Sequence, residues 1–415
     1  MFTVLRTTWP LLLGILLLMV GNGMQGTLLG IRGRIEGIAT EQMSVVMASY
    51  FGGFLLGSRT VPGMIQKVGH VRVFAALGSV ISSILILYAV APDWRIWALE
   101  RLVIGFCFSG VYITAESWLN ASATNDTRGQ ALSAYMIVQM LGIIGAQLLM
   151  NTADPAGYLL FVIPSVLVSF AFLPILLSTQ PAPQFATIQK MSFAKLFRVS
   201  PLGCIGIFLI GGVFSAIFGM ASVWGSAKGL SVGQISAFVA AIYVGGLVLQ
   251  YPIGWLSDHS DRRMIVLGLA VLGFAACGIT LAAKPGIWGL LATAAIIGGV
   301  ANPVYSLLLA YTNDFLDSTD MAAASAGLLF INGVGAMTGP LITGWLMSVM
   351  GPDGFWAYLG ALLLMLALYA GWRQTRRPTP AQDQNFAVIA PSATPIAVEA
   401  ALGMAGSDEP AKPAE

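Results

Sequence analysis

The residue types that ordinarily carry chemistry are few in this chain and poorly placed for catalysis. Cys107, Cys204 and Cys277 each sit inside an apolar run, so neither a disulfide framework nor a thiolate metal site is expected. His70 and His259 fall in polar loops, and no Cys, His or acidic cluster has ligand spacing. A phosphate-binding loop needs Gly-Lys-Ser/Thr, yet Lys67, Lys190, Lys195, Lys228, Lys284 and Lys412 all follow residues other than glycine. No nucleophile, base and orienting group recur at recognisable spacing, so an enzyme, a bound metal and a cofactor are all unexpected. What remains is a cation and an acid in apolar surroundings, Arg101 and Glu116, and scattered amides and phenols. Such groups bind a solute or pass a proton; they do not break covalent bonds.

The elements that must hold these groups are membrane-spanning helices. Of 415 residues 57% are hydrophobic and only 9% charged, against about 25% charged in soluble domains. Apolar runs long enough to cross ~30 Å of hydrocarbon recur along the chain. Twelve are expected, near 9–32, 42–62, 72–91, 96–118, 129–151, 157–177, 202–224, 233–256, 264–283, 287–310, 323–349 and 354–372. Backbone groups in lipid are satisfied internally, so each span is a helix and the fold class is all-α. The net charge of +2 carries no basic stripe, which argues against nucleic acid as a partner. Placing the N-terminus in the cytoplasm puts thirteen Lys and Arg, Arg59, Arg72, Arg128, Arg262 and Arg263 among them, on that side. Five, Arg32, Arg34, Arg95, Lys228 and Lys284, fall on the other, so both termini are expected inside.

Ser178 to Pro201 divides the spans six and six, with Pro181, Pro183 and an amphipathic stretch from Met191 to Arg198 that suits the inner membrane surface. The expected domains are a six-helix bundle over 1–177, a linker over 178–201, a second bundle over 202–372 and a disordered, dispensable tail over 373–415. The halves repeat. At one offset of 193, Tyr50-Phe51-Gly52-Gly53 falls on Tyr243-Val244-Gly245-Gly246, Val111-Tyr112 on Val304-Tyr305, Gln139 on Asn332 and Gly142 on Gly335. Parallel six-helix repeats with a solute site between them are a transporter architecture.

Several motifs resemble the major facilitator superfamily. The loop Gly254-Trp255-Leu256-Ser257-Asp258-His259-Ser260-Asp261-Arg262-Arg263 is similar to its Gly-x-x-x-Asp-(Arg)-x-Gly-Arg-Lys/Arg signature, with Asp261 in place of the second Gly. A carboxylate at a helix end facing two guanidinium groups makes a latch that can open and close, which assigns gating to Asp258, Arg262 and Arg263. In the first-half counterpart, residues 62–72, Gln66 replaces the acid, leaving Glu116 as a substitute anion for Arg72 or Arg128. Leu99-Glu100-Arg101-Leu102-Val103-Ile104-Gly105 is similar to the element whose arginine is linked to proton coupling in the family. On a helix, Arg101, Gly105, Phe108, Tyr112 and Glu116 share one stripe. Arg101 then faces the interior or snorkels outward, and Glu116 serves either the gate or the proton path. Gly335-Ala336-Met337-Thr338-Gly339-Pro340 resembles a hinge element that antiporters of the family carry in helix 5, whereas helix 5 here lacks the proline. Glu116-Ser117-Trp118-Leu119-Asn120 and Val68-Gly69-His70-Val71-Arg72 look like a YcaD-like bacterial subgroup.

The resemblance implies a monomeric, multi-pass carrier in the bacterial inner membrane, working by alternating access with small-molecule solute and protons as partners. Asn22, Gln25, Arg101, Tyr112, Gln139, Asn302, Tyr305 and Asn332 are the candidates for its central cavity. With so few charges among them, a neutral, amphipathic or singly anionic organic solute fits. The alternative is a protein of the same fold that no longer transports and serves as a receptor or an assembly factor.

Overall fold

The computed structural model describes residues 2–122, 127–176, 191–316, 318–376 and Ile389, and every element among them is helical. The first six are α1 (Phe2–Ile35), α2 (Thr40–Val68), α3 (His70–Val90), α4 (Trp94–Ser122), α5 (Arg128–Leu149) and α6 (Leu159–Leu176). A short α7 (Phe193–Val199) follows, then α8 (Pro201–Ser215), a π turn (Ala216–Met220) and α9 (Ala221–Ala227), which together form one rod. The remainder are α10 (Val232–His259), α11 (Arg262–Ala283), α12 (Ile287–Asn313), α13 (Ser318–Met350) and α14 (Asp353–Gln374). Residues 178–190 of the expected linker, the tail beyond 376 apart from Ile389, and the Arg128 side chain lie outside the described residues.

Ten rods among the described residues are long and apolar enough to cross a membrane. Helices also stand at the other two expected places. In α2, Glu41, Gln42, Arg59, Gln66 and Lys67 dilute the apolar run, and in α6 the apolar stretch ends at Pro174. Local signals fix several boundaries. Ser231 and Gln234 cap α10 reciprocally, the Asp261 carboxylate accepts from the Arg263 amide to start α11, and Gly69, at φ 89°, makes the tight break between α2 and α3.

The packing reproduces the internal repeat. In the first half α2 crosses α4, α1 lies against α5 and α6, and α3 against α4 and α6. In the second, α10 crosses α12, α8 lies against α13 and α14, and α11 against α12 and α14. The crossings use glycine in the same way. A Cβ at Gly105 would strike the Tyr50 carbonyl, and one at Gly298 the Ile242 carbonyl, so backbones touch at equivalent places in both halves.

The halves meet along α2 and α13, α5 and α10, and α1 and α9. At one end the seal is tight: Ser222 donates to the Gly26 carbonyl at 3.2 Å, and Cβ atoms at Gly30 and Gly344 would collide with Ser222 and Ser44. At the opposite end the guanidinium of Arg59 lies 4.2 Å over the Phe330 ring, whose other neighbour is Phe193 of α7 at 5.4 Å. The expected amphipathic helix is thus α7, with Leu196 buried, Phe193 and Phe197 exposed, and Lys195 paired with Asp320 at 2.7 Å.

Candidate functional site

A narrow cavity of about 80 Å³, partly open to solvent, lies between the two halves. Its wall includes seven aromatic rings: Tyr50, Phe51 and Phe54 from α2, Tyr112 from α4, Phe214 from α8, Phe218 from the π turn and Tyr243 from α10. These rings come from both halves and touch. Phe218 lies 5.7 Å from Tyr50 and 6.1 Å from Phe51, and stacks at 11° on Phe214. The π turn supplies the ring that bridges the halves, beside Pro340 and Met47 at Gly219. Such turns concentrate at functional positions, and nothing in the sequence periodicity marked this one.

Polar groups enter the wall at five of the eight expected positions: Asn22, Tyr112, Gln139, Asn302 and Asn332. Asn22 is held on all sides. Its Nδ2 donates to the Tyr50 hydroxyl at 3.4 Å and the Tyr112 hydroxyl at 3.2 Å, and its Oδ1 accepts from Gln25 at 2.8 Å. It fixes two cavity phenols. Gln25 therefore stands behind the wall rather than in it. The cavity is also not lined by Tyr305, which is buried within α12. Gln139 and Tyr243 make no side-chain hydrogen bond among the described residues. Asn302 donates to the Gly298 carbonyl at 3.3 Å, leaving its Oδ1 available.

Arg101 meets one of its two sequence expectations, facing the interior. It is fully buried, which excludes snorkelling, and it does not line the cavity. Its guanidinium lies 4.7 Å from the centroid of Tyr50, and Nη2 donates to the Met47 sulfur at 3.6 Å, while Nε and Nη1 have no partner. The stripe through Gly105, Phe108, Tyr112 and Glu116 does face inward, all of it buried. However, the crossing of α2 over α4 places Tyr50 between the cation and the cavity. The charge acts one ring away from a solute. Glu116 accepts from the Tyr135 hydroxyl at 3.1 Å and is 1% exposed, a more enclosed place than a helix terminus suggested.

The latch is wired differently from the expectation. Arg262 pairs with Asp314, at the end of α12, at 2.5 Å, both side chains being almost fully buried. Arg263 pairs with Asp261 at 2.8 Å, the residue that replaced the motif glycine. Asp258 lies exposed at the end of α10. Sequence reasoning missed Asp314 because its nearness depends on how α12 ends beside α11. Arg72 is exposed and makes no ion pair among the described residues, so it does not serve Glu116 as a partner. His70, expected in a loop, is the buried first residue of α3, facing Trp118. The expected hinge glycines are packing surfaces: Gly335 and Gly339 let α13 approach the Phe208 and Gly212 carbonyls of α8, and α13 runs unbroken through Pro340. The tail is not free at Ile389, which is buried and exchanges backbone hydrogen bonds of 2.9 and 3.1 Å with the Ser306 hydroxyl.

Comparison with known proteins agrees with this architecture. The family model described as Major Facilitator Superfamily matches residues 203–405. The MFS-type transporter YcaD of Escherichia coli O45:K1 (strain S88 / ExPEC) is 27% identical over 383 residues, covering 89% of this chain and 98% of its own. By these matches the chain is similar to the major facilitator superfamily. The YcaD of Salmonella heidelberg (strain SL476) is 25% identical over 389 residues, covering 91% of this chain and 99% of its own. Among solved structures, a mutant of the nucleoside transporter NupG superposes with a TM-score of 0.75 at 15% identity, over 89% of this chain and all of that one. A bacterial homologue of the human lysosomal transporter Spinster, inward-facing and unoccupied, superposes with a TM-score of 0.68 at 15% identity, covering 89% and 96%. The fold is shared with both.

Proposed function

We propose that the protein is a secondary active transporter that moves a small organic solute across the bacterial inner membrane by alternating access, coupled to protons. All twelve long rods cross the bilayer in this reading, six per bundle, with both termini cytoplasmic. The supporting observation is the cavity between the halves, which draws on eight rods and is sealed at one end by the contacts around Gly26, Gly30, Ser44 and Gly344. With the termini inside, that end is periplasmic and the state inward-facing, the state in which the Spinster homologue was solved. Arg101 and Glu116 are the buried ionisable groups nearest the cavity tyrosines and carry the coupling. Arg262 with Asp314 holds α11 to α12 at the cytoplasmic end as the halves rock, and Arg263 with Asp261 fixes the start of α11. An open, solvent-connected cavity favours transport over a receptor that no longer carries solute.

The test is a Gly30→Cys/Ser222→Cys pair, since a Cβ at Gly30 falls against Ser222. Cross-linked in proteoliposomes, the pair should stop solute flux driven by a pH gradient, and reductant should restore it. Undiminished flux through fully cross-linked protein rules out rocking at this seal.

A further inference from the structure

The cavity has a composition that selects its solute more narrowly than transport of some organic molecule. None of its lining residues is Asp, Glu, Lys, Arg or His. Arg101 is screened by the Tyr50 ring, and the Arg59 guanidinium, beyond the wall, is already seated over the Phe330 ring. A charged solute entering here would lose its hydration and meet no counter-charge, a large uncompensated cost. The wall offers instead aromatic rings from the two halves, the stacked pair Phe214 and Phe218 from one and Phe51 from the other, which meets Phe218 edge to face at 6.1 Å and 71°. The same wall holds polar groups with unused capacity. Gln139 can donate and accept, the Tyr243 hydroxyl can do either, and the Asn302 Oδ1 can accept. An amide left without protein partners on a cavity wall is satisfied by water or by a ligand, and the three groups come from α5, α10 and α12.

From this juxtaposition we infer that the transported solute is uncharged and planar, an aromatic or heteroaromatic ring carrying an amide-like donor and acceptor edge. The ring lies against Phe214 and Phe218, and its edge is read by Gln139 and Tyr243. The anionic class that the sequence left open is rejected by the same wall. The inference rests on the proposed transport reading and narrows its substrate.

The experiment is equilibrium binding to the purified full chain of three matched probe sets. The first is uncharged and planar with an amide edge: nicotinamide, benzamide and uracil. The second carries charge: nicotinate, benzoate and benzylamine. The third is saturated, with cyclohexanecarboxamide as its member. The first set should bind at least about tenfold more tightly than its counterparts. Gln139→Ala and Tyr243→Phe should each weaken the first set by about tenfold, and Phe218→Leu should erase the preference for benzamide over cyclohexanecarboxamide. Equal or tighter binding of a charged or saturated counterpart, binding by no member of the first set, or indifference of the first set to both Gln139→Ala and Tyr243→Phe overturns the inference. Flux in proteoliposomes separates the two readings. Uphill movement of a charged solute sinks this inference and leaves transport intact, whereas tight binding of the first set without any flux sinks transport and leaves the recognition intact.

Discussion

Replacing Arg101 with methionine separates the stability of this protein from its coupling. The guanidinium is fully buried, with two of its three nitrogens unpartnered and a ring face 4.7 Å away. A guanidinium at depth in a spanning helix costs about 2.5–3.5 kcal/mol on insertion scales, and the orphaned donors are part of that cost. The desolvated cation–π contact with Tyr50 returns about 2 kcal/mol. Methionine removes both terms and keeps most of the packing of the stem, because the thioether chain is long and adaptable. The net change is therefore about 0.5–1.5 kcal/mol, on the stabilising side. Alanine differs: the void it leaves adds a cavity penalty of about 2 kcal/mol. Apparent melting temperatures in detergent should then rank Arg101→Met at or above the native protein and Arg101→Ala below it. In proteoliposomes, Arg101→Met should bind the tightest uncharged probe as the native protein does but fail to accumulate it against a pH gradient. Melting of Arg101→Met more than about 5 °C below the native protein would show that the cation is compensated after all, and the energetic argument would be wrong. Native accumulation by that variant would remove Arg101 from coupling.

Three other outcomes follow from the packing. Gly105→Ala and Gly298→Ala, each driving a methyl into a backbone carbonyl of the crossing helix, should cost about 2–3 kcal/mol each in thermal stability, while Gly268→Ala, with open space around it, should gain about 0.5–1 kcal/mol. Comparable melting of all three would refute the close crossing. Asn22→Ala strips the Tyr50 and Tyr112 hydroxyls of a shared donor and should lower stability by about 1–3 kcal/mol, read in the same assay, whereas Asn22→Asp, without the amide donor, should not rescue it. Finally, Ile389→Cys should react slowly with a polar maleimide, and adding Ser306→Ala, which deletes both hydrogen bonds to that residue, should speed labelling several-fold. Equal labelling rates in the presence and absence of Ser306 would mean the contact does not hold the tail.

The helices and their pairing were legible because lipid imposes a length and an apolar character that a chain must display locally. The repeat was legible because both halves solve the same crossing with glycine at equivalent places, Gly105 and Gly298. Five cavity residues were also found, since an amide or phenol in an apolar helix needs a partner or water, and Asn22, Tyr112, Gln139, Asn302 and Asn332 found the shared cavity. The same rule failed for Gln25 and Tyr305. A buried neighbour can serve as the partner as well as a cavity can, and periodicity does not tell the two apart.

The amino-acid order determined that this chain is a bundle of apolar helices in two related halves, with neutral polar groups set into those helices. Those are one-dimensional properties: span length, charge placement and a constant offset. Which groups meet was decided only in three dimensions. The rotation of α2 over α4 put Tyr50 between Arg101 and the cavity, the end of α12 delivered Asp314 to Arg262 across 52 residues, and a π turn swung Phe218 across the gap between the halves. Each depends on the angle and depth at which two rods cross, and that angle is set by the summed contacts of many side chains rather than by any motif.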